Sequence, residues 1–173
     1  MADLQDVKLS VKLPFVGVEG TWAPDKSEQE AAWEMYVELI TRISVAPLAP
    51  EEGLLREALT SLYTIFGTTR AILRKYGPSV AQPKSDGDLS LGQIAVAILN
   101  RGLRPVLAKW HPTLLHYEST RQASVSPLEH ERRWESNAEM RQVLDQVRET
   151  MTEYANVLAQ VAGVPPLVEA ENS

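Results

Sequence analysis

Two stretches of this sequence place mainly apolar residues at alternating steps of four and three, and this spacing constrains the fold more than any other feature. One stretch comprises Leu55, Leu59, Leu62, Phe66, Thr69, Leu73 and Tyr76, and the other comprises Met140, Leu144, Val147, Met151, Tyr154, Leu158 and Val161. Residues spaced in this way lie on one face of an α-helix. We therefore predict two long helices that bury these faces in a helical bundle.

A first helix is predicted ahead of these two. Ser27 and Glu30 have the spacing of a capping box, in which each side chain accepts a hydrogen bond from the other residue's backbone N–H. The apolar face of this helix would contain Trp33, Tyr36, Val37, Ile40 and Ile43, and Pro47 and Pro50 would end it. The link to the second helix is short, which favours an antiparallel arrangement of the two.

The last helix is predicted to begin at a second capping box. Ser126 and Glu129 have the required spacing, and Pro127 occupies the first helical position, where a missing N–H does no harm. From there the helix would run without a break to Ala162 and stop at Gly163.

A third helix, capped by Ser90, contains two prolines. Pro105 and Pro112 each lack a backbone N–H and clash with the carbonyl four residues earlier, which would leave the carbonyls of Arg101 and Ala108 free. We therefore predict a bent or twice-broken helix with basic side chains at the breaks. Residues 78–89, before this helix, are predicted to form a long loop.

The chain before the first helix has a different pattern. Residues 7–13 alternate apolar and polar side chains, as a half-buried strand does, and a second short run follows from Phe15 to Trp22. The predicted fold class is all-α: an up-down four-helix bundle with a proline-interrupted third helix and a short N-terminal extended arm or β-hairpin. The predicted units are the arm at residues 1–26, the bundle at 27–163 and a flexible C-terminal tail at 164–173.

Composition and motifs exclude several functional classes. The chain of 173 residues has no cysteine, which excludes disulfides, thiolate metal sites and cysteine nucleophiles and fits the cytoplasm. A net charge of −6 argues against nucleic-acid binding, and no apolar stretch is long enough to predict a membrane span. The sequence has no glycine-rich phosphate loop and no His-Glu-x-x-His zinc motif, because Trp134 stands where the second histidine would be. We therefore predict no catalytic residues, no metal and no cofactor.

The segment 101–121 has a net charge of +3, which leaves −9 on the rest of the chain. Its candidate residues for binding a ligand or partner are Arg101, Arg104, Lys109, Trp110 and His111. They are of the kind that binds an anion, a nucleotide or an acidic partner. The structural alternative is that Arg104 and Lys109 pair with Glu34 or Glu38, while Trp110 packs in the core.

Two functional hypotheses follow from these patterns. The first is a non-enzymatic helical protein–protein interaction module, acting as a subunit, adaptor or regulator of a larger complex. Its partner would be another protein or a second copy of the chain, reached by adding strand-like residues 7–13 to the partner's sheet. The alternative is a small-anion or nucleotide sensor or enzyme that uses the basic segment 101–111.

Overall fold

The computed structural model describes residues 8–42, 48–49 and 51–167, and most of these residues are helical. The strands are β1 (Leu9–Leu13), β2 (Val18–Trp22) and β3 (Asp88–Leu89); the helices are α1 (Lys26–Ile40), α2 (Leu55–Tyr76), α3 (Leu91–Ala97), α4 (Arg104–Glu118), α5 (Pro127–Arg132) and α6 (Asn137–Ala162). Helix α1 packs against both α2 and α6, and α2 also contacts α4. A mainly helical fold is therefore confirmed, whereas the up-down four-helix bundle is not.

The N-terminal segment forms a β-hairpin, one of the two predicted alternatives. Strands β1 and β2 are antiparallel, with Leu9 opposite Trp22 and Leu13 opposite Val18. Strand β3 then pairs with β2 in parallel, which gives the sheet the order β1-β2-β3. The predicted loop at 78–89 therefore contributes a strand, and it also contains a 3₁₀ turn at Pro78–Ala81. Val7, the first residue of the predicted strand, lies outside the described residues.

Helix α1 begins two residues earlier than predicted. Its N-cap is Asp25, whose side chain accepts a hydrogen bond from the Glu28 N–H at 2.9 Å, while Glu28 accepts one from the Asp25 N–H at 3.1 Å. The buried face consists of Glu28, Ala31, Ala32, Met35, Tyr36 and Leu39. The predicted face is therefore confirmed in part: Tyr36 is buried and Ile40 packs against the core, whereas Trp33 is 42% exposed because the packing surface uses the two alanines instead of its large ring. Ile43, Pro47 and Pro50 lie outside the described residues.

The apolar faces of α2 and α6 are largely confirmed. Of the seven residues predicted for α6, all except the partly buried Leu144 are buried. In the second half of α2 the buried face is shifted by one residue from the predicted one. Ile65 and Ile72 are buried, whereas the predicted Phe66 and Leu73 are only partly buried. An α-helix has 3.6 residues per turn, and a repeat of 3.5 therefore rotates slowly around its surface.

No helix among the described residues is apolar over a length that would cross a membrane.

The predicted last helix is two helices. Ser126 caps α5 as expected, accepting a hydrogen bond from the Glu129 N–H at 3.1 Å, but the helix ends at Arg132 and α6 begins at Asn137. The turn between them buries Trp134 edge-to-face against Trp110, with the ring centres 6.1 Å apart. A continuous helix from Ser126 to Ala162 was therefore a wrong prediction, since a tertiary contact of Trp134 outweighs local helix propensity.

The third helix is not broken at its prolines. Helices α3 and α4 are joined by a π-helical segment, Ile98–Leu103, in which the chain stays helical. The Arg104 N–H donates to the carbonyl of Leu99, five residues earlier, which adds one residue to the turn. Pro105 then lies in the first turn of α4, where its missing N–H is tolerated, and Pro112 lies within α4. Of the two predicted alternatives, a bent or a twice-broken helix, the twice-broken one was wrong, because the chain stays helical through Pro105 and Pro112. The wider turn accommodates Pro105.

A buried carboxylate, that of Glu28, joins the sheet to two helices. Its side chain is 1% exposed, and its Oε1 accepts hydrogen bonds from the Trp22 indole N–H and the Leu91 backbone N–H, each at 3.1 Å. Leu91 is the first residue of α3, so Glu28 completes the cap that Ser90 begins. Burial raises the pKa of the Glu28 carboxyl.

A second buried carboxylate, that of Glu131 on α5, caps α2. Both of its oxygens accept from the Leu55 N–H, at 3.1 and 3.0 Å, and the guanidinium of Arg141 lies 3.7 Å away. Leu54 occupies the N-cap of α2 and has no side-chain group to offer the helix. Burial also raises the pKa of Glu131. Each of the two glutamates therefore supplies a helix cap from a distant part of the chain.

We predict that Glu28→Ala lowers the free energy of unfolding by about 3 kcal/mol, because it leaves three N–H donors without their acceptor. The exposed neighbour Glu30, whose contact with Lys26 is 4.0 Å long, provides the control. Glu30→Ala should change stability by less than about 0.5 kcal/mol. Urea denaturation of both variants checks this, and equal effects would contradict the assigned role of Glu28.

We also predict a pH dependence for Glu28. A folded-state pKa raised above the ordinary value of 4.5 means that the folded protein holds this proton at a pH where the unfolded chain has lost it. The stability contributed by this carboxyl is fully present below the unfolded pKa and is lost as pH rises through the folded pKa. Denaturation curves from pH 4 to 7 should therefore show wild type losing stability relative to Glu28→Gln, and a gain relative to that variant would contradict the raised pKa.

Candidate functional site

A cleft of about 310 Å³ lies between α2 and α4. Its lining combines aromatic, basic and aliphatic side chains, namely Tyr63, Phe66, Arg70, Arg104, Leu107, Ala108 and His111. We call it the α2–α4 cleft. Both walls are regular helices, and the side chains of the cleft are therefore positioned by the fold and not by a loop.

Arg104 forms part of the wall by lying over an aromatic ring. Its guanidinium carbon is 5.3 Å from the centre of the Phe66 ring, and its Nε–H donates to Oδ1 of Asn100 at 3.1 Å. Stacking of this kind holds the planar guanidinium in one orientation and leaves its other N–H groups for a ligand. An anion entering the cleft would thus meet an oriented donor.

His111 and Tyr63 form the other end of the cleft. Their rings meet edge to face, with centres 6.3 Å apart. Tyr63 is 62% exposed, a high value for an aromatic side chain beside a cleft. Leu115, four residues after His111 on α4, is 56% exposed and continues the apolar surface away from the cleft.

The positive charge of the cleft is not neutralised within the described part of the chain. No carboxylate there lies within 4.0 Å of Arg70 or Arg104. Elsewhere ion pairs are common, as between Arg56 and Glu118 at 2.8 Å. The two arginines of the cleft are therefore free to bind an external anion.

The structure brings together two of the five candidate residues, Arg104 and His111. Arg101 lies on a different side of the helix, where its Nη1–H donates to the carbonyl of Val16 at 3.0 Å. Lys109 pairs with Glu139 at 3.4 Å and covers the ring of Trp110, which is 3% exposed and belongs to the core.

The proposed ion pairs of Arg104 and Lys109 with α1 are absent among the described contacts. Glu34 binds Lys75 and the hydroxyl of Tyr76, and Glu38 binds Arg42 at 3.1 Å. The carboxylates of α1 thus serve other cations.

Sequence reasoning missed the half of the cleft that α2 contributes. Tyr63, Phe66 and Arg70 are spaced by three and four residues, which places them along one side of a helix. That spacing was visible in the sequence. The sequence did not show that this side of α2 faces α4, because only the packing of the chain determines it.

The residues of the cleft are suited to binding. Arginine side chains bind carboxylates and phosphates through paired N–H groups, and the rings of Tyr63 and Phe66 offer apolar contact area. The lining contains no carboxylate and no aliphatic hydroxyl, and the imidazole of His111 is its one side chain of the type most often used as a general base. In the described part of the chain, no group of three or more histidine, aspartate or glutamate side chains is placed to hold a metal ion.

We predict that Arg104→Ala changes the free energy of unfolding by less than about 1 kcal/mol, because it removes a partly exposed cation–π contact. Trp110→Ala, six residues further along α4, should cost about 3–5 kcal/mol because it opens a cavity in the core. Thermal and urea denaturation of the two variants compare these values. If Arg104→Ala proves as costly as Trp110→Ala, Arg104 has a structural role.

Comparison with known proteins leaves the cleft to be interpreted from its own geometry. No family model matches this sequence, and the searches of curated proteins and of solved structures give no significant match.

Proposed function

We propose that this chain is a non-enzymatic helical interaction module, a subunit, adaptor or regulator, which binds an acidic segment of another protein in the α2–α4 cleft. The observation that carries this proposal is the pair Arg70 and Arg104, which have no carboxylate partner among the described residues and lie beside the exposed ring of Tyr63. In a chain of net charge −6, such a local basic surface is suited to an acidic partner.

The shape of the surface favours a protein segment as the ligand. Tyr63 on α2 and Leu115 on α4 are both more than half exposed, and they add apolar surface on either side of the cleft. An amphipathic helix or a short peptide would place apolar side chains against this surface and carboxylates on the two arginines. Aromatic and arginine side chains dominate the binding energy of many protein interfaces.

A small anion or nucleotide is the second candidate ligand. The guanidinium of Arg104, oriented on Phe66, and the imidazole of His111 line the same cleft and would both contact a phosphate group. We rank this candidate second because a small anion would leave Leu115 uncovered.

Strand β1 supplies a separate reason to propose a protein partner. In the described sheet it pairs only with β2, so its outer edge faces no other strand. We therefore keep the proposal that residues 7–13 add to the sheet of a partner or of a second copy of the chain. Lys12, exposed on β1, is a residue of the type that hinders unspecific pairing of an edge strand. The cysteine-free composition favours the cytoplasm as the place of action.

We predict that a photo-crosslinking phenylalanine derivative at position 63 captures a partner from a lysate of the source cells. The same derivative at Glu153, exposed on α6, should not capture it. The double variant Arg70→Glu, Arg104→Glu should abolish capture, because it reverses the charge of the cleft. Arg74→Glu, one turn further along α2 and outside the cleft, is the matched control and should leave capture unchanged.

The identified partner should then bind the purified chain, and its affinity should fall as salt concentration rises. Capture that is equally strong in the double variant would contradict the proposal. A shift in melting temperature with inorganic phosphate or ATP, lost in Arg104→Ala, would support the small-anion alternative instead.

A further inference from the structure

The second edge of β2 is only partly covered, and this leaves a binding surface apart from the α2–α4 cleft. Along one edge β2 pairs with β1 over five residues, from Val18 to Trp22. Along the other edge β3 pairs with Thr21 and Trp22 alone. Val18 and Glu19 therefore have no strand beside them on that side.

The chain before β3 turns away from β2. The Asp88 N–H donates to the carbonyl of Ser85 at 3.0 Å, which closes a tight turn, and Gly87 within it has φ +85°. A side chain at Gly87 would be strained in that conformation, so the glycine permits the turn. As a result β3 begins only at Asp88 and cannot extend along the first half of β2.

This arrangement leaves backbone groups without a partner. Successive residues of a strand direct their N–H and C=O groups to opposite edges, so one of Val18 and Glu19 directs both groups away from β1. In the described part of the chain, neither residue makes a backbone hydrogen bond outside the hairpin. Exposed edge groups of this kind are the template for an added strand.

A cleft of about 590 Å³ lies along this edge, between β2 and the helical wall formed by α3 and the π-helical segment. We call it the β2–α3 cleft. Its apolar surface includes Leu89, Ala97 and Val96, and Val96 is 46% exposed. A groove between a strand edge and a helix accommodates an extended peptide, because the strand supplies backbone hydrogen bonds and the helix contacts the side chains.

Two side chains of opposite charge, Glu19 and Arg101, line this cleft. Arg101 uses one N–H group on the carbonyl of Val16, and no carboxylate among the described residues, that of Glu19 included, lies within 4.0 Å of it. A guanidinium has five N–H donors, so several are left for a ligand. Arg101, another of the candidate residues from the sequence, thus belongs to a different surface from Arg104.

We propose that the β2–α3 cleft binds an extended peptide segment of a partner, which adds to the sheet beside Val18 and Glu19. The peptide places β-branched or small apolar side chains against Leu89 and Val96, and a carboxylate against Arg101. This surface is independent of the α2–α4 cleft, and its occupant is recognised in extended conformation.

The test begins with selection of a random dodecapeptide library on phage against the whole chain. Selected peptides, made synthetically and labelled, should contain an acidic residue near apolar β-branched ones. Val96→Glu should weaken their binding at least tenfold by placing a charge in the apolar wall, and Arg101→Gln should weaken it about tenfold by removing a charged hydrogen bond. Leu115→Glu, an equivalent change at an exposed apolar residue of α4, should leave affinity unchanged.

Two further measurements are specific for strand addition. Methylating the peptide's backbone nitrogens one at a time should abolish binding at alternate positions, because alternate N–H groups face the sheet. In ¹⁵N spectra, the peptide should shift the amide signals of Val18 and Glu19 and slow the exchange of one of them with solvent. Circular dichroism and melting curves establish that the variants are folded, and Val96→Gln, which also places a polar group in the apolar wall, replaces Val96→Glu if the latter is not.

The proposal is overturned if no peptide is enriched, if selected peptides bind Val96→Glu as tightly as wild type, or if no N-methylated position matters. The double variant Arg70→Glu, Arg104→Glu should bind these peptides normally. Failure of capture at position 63 combined with peptide binding here would therefore overturn only the proposed function of the α2–α4 cleft.

Discussion

The buried carboxylate of Glu28 is the contact on which most of this structure depends. It accepts hydrogen bonds from an indole at the end of β2, from the Asp25 N–H at the N-cap of α1 and from the first residue of α3. A buried charge without such partners would cost several kcal/mol, so none of these three elements can move away from it cheaply. Glu131 makes the equivalent connection from α5 to the start of α2. The two glutamates thereby fix where three of the helices begin, in a protein whose sheet is too small to organise them alone.

Two surfaces between these junctions carry groups that lack one kind of partner in the described structure: the arginines of the α2–α4 cleft have no carboxylate, and the open edge of β2 has no strand. Helix α2 is held at its start by Glu131, and α4 is held from its other side by the packing of Trp110 on Trp134. The faces that α2 and α4 turn towards each other are therefore rigid walls, and the arginines between them have no described acid partner. At the sheet, the capping of α3 by Glu28 places the helix along an edge of β2 that β3 does not complete. The same contacts that stabilise the fold thus set the spacing of both proposed sites.

Much of the helical structure could be predicted because it follows from local spacing. The faces of α2 and α6, the cap at Ser90 and the end at Gly163 all depend on residues close in sequence. The interruption between α5 and α6 could not be predicted, because it results from Trp134 packing on a ring on another helix. The π-helical segment likewise combines a local cause, Pro105, with a tertiary one, since Val16 packs against Gly102. The candidate residues from 101 to 111 lie on different surfaces of the protein, and this too could not be predicted. Residues that are close in sequence can point to different sides of a helix, and only the packing determines which side faces a cleft.

The most direct test of this account is hydrogen exchange at the Leu91 amide. The first N–H groups of a helix have no partner within the helix, and an N–H left to solvent there exchanges rapidly. If Glu28 holds this amide in the buried junction, its exchange in wild type should be nearly as slow as that of amides in the middle of α6, since it would require unfolding of the core. Exchange as fast as that of an unprotected amide, under conditions where the centre of α6 is protected, would contradict the central role of Glu28.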